Sequence, residues 1–264
     1  MIAAQVRNCQ EIILSDARVE PAAMEAIAPV IARPSLNRNL NSLVVDSAFT
    51  RMKDAETSQS MNILVNSLLR RRSKLADITI KNVALDRDGK DHLHRLLQSL
   101  SQLEKLRTLD LTQAGLNADA KEIMQSLGQA KKLAHLHLGG NRIGNRAVQA
   151  LGQSLLKISK LESISLVSSN GNSQSMASIL EGLVRQPRLR HVNLKDNSLS
   201  GLGHLLGRAS GNKEQKVLRN MVGLAPPTRW VKDKTDYDRR CKKEQARVQR
   251  IREDRRRARR VGPA

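Results

Sequence analysis

The chain has 264 residues, 39% of them hydrophobic and 27% charged, and a formal net charge of +21. One Phe, one Trp and one Tyr are its whole aromatic inventory, so any core must be aliphatic and any binding face lacks the Trp and Tyr anchors of most protein interfaces. Two cysteines exclude a disulfide framework, and no apolar run approaches the roughly 18 residues of a membrane span.

An apolar triplet spaced L-x-x-L-x-L, with Ile, Val or Cys replacing some Leu, opens at Cys9-Ile12-Leu14. It returns as Leu40-Leu43-Val45, Leu75-Ile78-Ile80, Leu106-Leu109-Leu111, Leu133-Leu136-Leu138, Leu161-Ile164-Leu166 and Leu189-Val192-Leu194. The first positions lie 31, 35, 31, 27, 28 and 28 residues apart. Alternation inside each triplet predicts a strand, and the near-constant period predicts stacked units of one kind.

The intervening segments read as helices. Met61, Ile63, Leu64, Leu68 and Leu69 share one face of a 3.6-residue period, and so do Ile123, Met124 and Leu127. Ala147, Val148, Leu151, Leu155 and Leu156 repeat that face, followed by Met176, Ile179, Leu180, Leu183 and Val184. Asn145 and Ser173 are the predicted N-caps of the last two helices. The second and third repeats are longer, and the extra residues near Met52–Ser60 predict a surface loop or an added helical turn. Arg70, Arg71 and Arg72 complement the dipole at the end of the following helix, and His92 and His94 are expected in solvent on an outer turn.

Two copies carry a longer pattern. Leu133 to Ile143 and Leu189 to Leu199 fit L-x-x-L-x-L-x-x-N-x-L, with Asn141 and Asn197 at the Asn position. An Asn there sits inside the bend after the strand and pairs backbone groups that burial would otherwise leave unmatched. Ala17, Ala48, Val83, Ala114 and Ser169 occupy that position elsewhere, so those bends are expected to be less well specified. Asn170, one place late, predicts a slipped or bulged turn in the sixth repeat.

On these residues the chain, over roughly 9–208, resembles the leucine-rich repeat family in its cytosolic ribonuclease-inhibitor type. The resemblance implies an α/β solenoid, a right-handed horseshoe with about seven parallel strands on the concave face and helices on the convex face. It further implies a non-enzymatic interaction module or scaffold that binds another protein and uses no cofactor. The Ran GTPase-activating protein shares this repeat type, but its family has an acidic stretch after the repeats where this chain is basic.

The expected domain plan is repeats over 1–208, a helical cap over 209–227 and a basic tail over 228–264, disordered or helical. Leu202, Leu205, Leu206, Val217, Leu218, Met221, Val222 and Leu224 supply the cap, which Pro226 and Pro227 end. Trp230 then either folds back on the cap or serves as a linear docking motif. At the other end the first triplet begins at Cys9, leaving three readings open: a poor cap from Met1–Asn8, cover by a partner, or a fragment of a longer chain. Met1–Arg7 lack a signal-peptide design, and the two thiols suit a reducing compartment. A soluble, cytoplasmic protein is expected, with nuclear import through the tail as the alternative.

From Lys213 onward the sequence has 18 Lys/Arg against 7 Asp/Glu. Arg239, Arg240, Lys242, Lys243, Arg255, Arg256, Arg257, Arg259 and Arg260 are its candidate polyanion-binding residues, for nucleic acid or acidic lipid. A solvated tail is the alternative. No aromatics interleave these charges, which argues against reading of base sequence.

Within each strand the residues between triplet positions point away from the core. One such column runs Ile13, Val44, Thr79, Asp110, His137, Ser165, Asn193. The mid-to-late strands thus present Asp110, His135, His137, Arg142, Arg190, His191, Asn193 and Lys195 as candidate partner-binding residues. His135, His137 and His191 are the candidate chelating imidazoles, the first two at i and i+2 of one strand face, but no Cys, Asp or Glu completes a tetrahedral set nearby, so no metal is expected. No phosphate loop or paired-carboxylate signature is present, and no catalytic residue is assigned.

Overall fold

The computed structural model describes residues 9–199 except 17, 34–38, 50–51, 72–74, 84, 86, 100–102 and 118–119. The expected cap over 209–227, Trp230 and the basic tail lie outside the described residues. Strands and helices alternate strictly: β1 (Glu11–Ser15), α1 (Pro21–Ala32), β2 (Ser42–Asp46), α2 (Asp54–Arg71), β3 (Asp77–Lys81), α3 (Arg87–Gln98) and β4 (Thr108–Asp110). Next come α4 (Lys121–Ser126, continued by a 3-10 turn over Leu127–Gln129), β5 (His135–His137), α5 (Gly144–Leu155), β6 (Ser163–Ser165), α6 (Ser173–Val184) and β7 (His191–Asn193).

The seven strands form one parallel sheet in the order of the sequence. Parallel neighbours require a crossover, and one helix supplies each. The middle triplet residues align across the whole sheet, Ile12 opposite Leu43, then Ile78, Leu109, Leu136, Ile164 and Val192. Consecutive helices pack on one another from α1 to α6. The result is an α/β, solenoid-like stack.

The triplets form the core. Leu43, Ile78, Leu109 and Leu136 are fully buried, as are Val45, Ile80, Leu111, Leu138 and Leu166. Leu64, Val65, Leu68, Leu93, Leu96, Leu97, Met124, Leu127, Val148, Leu151, Met176 and Ile179 bring the helices' apolar sides to the same interior. At the first strand the triplet is only partly covered, with Cys9, Ile12 and Leu14 of intermediate exposure. Leu156, expected on the apolar face of α5, is instead 48% exposed because the helix ends one residue earlier.

Asn141 and Asn197 do the work expected of them. Asn141 is 1% exposed; its Nδ2 donates to the Leu111 and Leu138 carbonyls at 2.7 and 2.9 Å, and its Oδ1 accepts the Leu116 N–H at 3.1 Å. Asn197 repeats this two repeats later, donating to the Leu166 and Leu194 carbonyls and accepting from the Ser169 N–H and hydroxyl.

Repeats without that Asn nevertheless turn the same way. Two residues after every triplet the backbone is left-handed: Asp16, Ser47, Asn82, Gln113, Gly140, Ser168 and Asp196 have φ between 49° and 71°. Six of these N–H groups donate to the next repeat, from Asp16 to Asp46 O through Ser168 to Lys195 O. Each of these six bends is therefore specified by an added backbone rung, whether the Asn position holds Asn or a buried Ala48, Val83 or Ala114. The sixth repeat has not slipped. Ser169 stays buried at the Asn position, Asn170 is exposed with φ 60°, and the pairing of Ser163 with His191 is in register.

Neither predicted cap falls where expected: the N-cap of α5 is Ile143, two residues before Asn145, and that of α6 is one residue before Ser173. Asn172, not Ser173, caps α6, accepting the Ser175 N–H at 2.9 Å. Asn145 lies inside the first turn of α5, where its Oδ1 accepts the Asn172 N–H at 2.6 Å and so ties one repeat to the next. The extra residues before Ser60 lengthen α2 to 18 residues, the added-turn alternative.

Candidate interaction face

Strand alternation leaves one face of the sheet free of helices. Its central row is Ile13, Val44, Thr79, Asp110, His137, Ser165 and Asn193, each opposite the next in register. Ile13 is 57% exposed; Val44 through Ser165 are half-buried by their neighbours, and Asn193 is exposed.

On β4 to β7 the sequence-predicted residues come together as three rows of one surface. His135 lies opposite Ser163, and its Nδ1 and the Ser163 hydroxyl are 2.9 Å apart. His137 sits between Asp110 on β4 and Ser165 on β6. Asp110 accepts the Thr112 N–H at 2.9 Å and its hydroxyl at 2.6 Å, which fixes the carboxylate. On β7, His191 and Asn193 are exposed, with the Asn193 Oδ1 accepting the Lys195 N–H at 3.2 Å.

Burial pushes the His137 imidazole below its ordinary pKa, against the Asp110 carboxylate, which favours the proton; His135 and Lys81 add to the lowering. His137 is thus held toward its neutral form.

Arg142 and Arg190 are exposed but do not share these rows. Arg190 immediately precedes β7, whereas Arg142 follows β5 by five residues in the turn toward α5. Since all strands run parallel, the two arginines mark opposite rims of the sheet. Sequence spacing grouped Arg142 with the strand residues because the triplet pattern does not show where the strand ends.

Toward β1 the face changes character. The Lys81 ammonium is 3.4 Å from Asp46, which also accepts from the Asn82 amide at 2.7 Å. Asp46 and Lys81 are opposite each other in register on β2 and β3, which brings them into contact.

His94 departs from expectation. Its side chain is 25% exposed, and its Nε2 is buried without a hydrogen bond, 3.7 Å from a Glu122 carboxylate oxygen. It lines a cavity of about 490 Å³ with Arg87, Lys90, Asp91, Leu116, Asn117, Ala120 and Ile123, on the helical side of the stack. Among the described residues, no group of three His, Cys, Asp or Glu side chains is placed to hold a metal ion. No described helix is long and apolar enough to cross a membrane. The nine predicted polyanion-binding residues, Arg239 to Arg260, lie outside the described residues.

The class these observations define is an α/β stack with a free sheet face. No protein-family model matches the chain, and no curated protein matches its sequence.

Proposed function

We propose that the chain is a leucine-rich repeat horseshoe of the ribonuclease-inhibitor type, a non-enzymatic module that binds another protein through its concave sheet face. One observation carries the reading: seven in-register strands present a helix-free face whose central row on β4 to β7 is polar, half-buried at Asp110, His137 and Ser165 and exposed at Asn193, with Asp110 held by Thr112 and His135 by Ser163. A face pre-ordered in this way loses little side-chain freedom on binding. Asp110, His135, His137, His191, Asn193 and Lys195 form the contact surface, with Arg190 and Arg142 on its rims. Function is read from the site, since the fold alone hosts many activities.

The test is affinity capture from a lysate with the intact chain and with His135→Ser/His137→Ser/Arg190→Ser. Ser already occupies the matching β6 positions, Ser163 and Ser165, so the variant should fold and melt close to the parent. A specific partner should be lost from the variant. Equal capture by both proteins places the partner surface elsewhere.

A second reading is favoured by charge. The +11 carried by residues 213–264 suits a polyanion-binding arm for nucleic acid or acidic lipid, or a nuclear-targeting segment. Truncation after Pro227 should remove polyanion association, and that association should weaken steeply with salt. Association that survives truncation belongs to the repeats.

A further inference from the structure

Basic and acidic residues are unevenly divided along the repeats. Residues 9–132 carry 18 Lys/Arg against 15 Asp/Glu, whereas residues 133–199 carry 8 against 3. On the free face the division is sharper. Glu11, Asp46, Asp77 and Asp110 lie on β1 to β4, and all three described strand histidines lie on β5 and β7. Among the described residues, neither Arg190 nor Lys195 has an ion-pair partner within salt-bridge distance, and both are exposed.

We infer that β5 to β7 form a docking surface for an acidic peptide segment, which grips more tightly when the histidines are protonated. This rests on the reading of the sheet face as the partner surface and gives that partner a chemistry. Charge complementarity selects the occupant. Arg190 and Lys195 stand at the two ends of β7, and the His135–His137 pair lies two strands away, so two fixed cations on one side and two imidazoles on the other bracket the neutral floor of Ser163 and Ser165. An extended segment crossing these strands can set carboxylates against both edges. The carboxylates that oppose an acidic segment lie at the margins of this surface: Asp110 on β4, Glu162 before β6 and Asp196 after β7.

The groups facing each imidazole set the pH response. His135 faces Thr108 and Ser163 in register; His137 faces Asp110 and Ser165, with Lys81 further along the sheet; His191 faces Ser163, beside Arg190 and Glu162. A bound carboxylate favours the imidazolium form of all three, so binding takes up protons and affinity rises as pH falls through the imidazole range. Glutamate carboxylates stay ionised there.

Fluorescence anisotropy with a labelled oligoglutamate peptide, on the full chain at about pH 7.5 and about pH 5.5, tests this. The parent should bind roughly three- to tenfold more tightly at the lower pH, the scale of a few added charge contacts. The His135→Gln/His137→Gln/His191→Gln variant should lose that gain, and Arg190→Glu/Lys195→Glu should bind more weakly at both pH values. The basic tail also attracts the peptide, but its Arg and Lys keep their charge over this range and add the same background to every protein. Arg190 and Lys195 are exposed, so the second variant does not depend on refolding a strand interior. An undiminished pH gain in the histidine variant, or unchanged binding in the charge-reversed one, overturns the inference. Lysate capture at about pH 7.5 asks separately whether the face has any protein partner, so the two failures are distinguishable.

Discussion

Asn141→Ala removes one side chain that ties together backbone groups of two neighbouring repeats. The Leu116 N–H loses its acceptor at 3.1 Å, and the Leu138 carbonyl loses the donor at 2.9 Å. The Leu111 carbonyl loses the contact at 2.7 Å but keeps the Ala114 N–H at 3.2 Å. With Asn141 1% exposed, water does not replace these partners in place. An unpaired buried N–H costs roughly 1–3 kcal/mol and a singly deprived carbonyl less, so the expected loss is about 2–4 kcal/mol. For a repeat body of this size that is a fall in Tm of roughly 4–16 °C. Asn141→Asp should not rescue, because a carboxylate has no proton for the two carbonyls. Urea denaturation reads the loss, and amide exchange at Leu116 localises it. A stability change under about 0.5 kcal/mol, with unaltered exchange at Leu116, would refute the assignment of this Asn as the tie between repeats.

Three further outcomes are expected. Leu136→Ala, at a fully buried site in the middle of the stack, should cost about 2–5 kcal/mol in denaturant unfolding. Gly152→Ala should destabilise by roughly 1–3 kcal/mol although Ala favours helix, since a Cβ on α5 would lie 2.5 Å from the Ser178 backbone of α6; a more stable variant would show that these helices can part. The lowered pKa of His137 means that the unfolded chain binds its proton first, so stability should fall as pH drops below the ordinary imidazole value and toward the folded one; His137→Gln should flatten that limb in melts across pH.

The sequence by itself determined the order and identity of the elements. Seven triplets with a period of two can bury Leu43, Ile78, Leu109 and Leu136 together only as aligned strands, and 3.6-residue spacing between them leaves only helices. It also determined what Asn141 and Asn197 do, because a buried amide in a bend has few other partners. What it left undecided depends on neighbours remote in sequence. The left-handed residues Asp16, Ser47, Asn82 and Gln113 share no letter, only a position where small or polar side chains tolerate positive φ and the N–H meets the next repeat. Likewise the contact of Lys81 with Asp46, the burial of His94 beside Glu122, and the removal of Arg142 from the strand rows follow from register and from where each strand stops. A periodic pattern specifies which side chains face inward; the distances between outward ones are set only when the repeats stack.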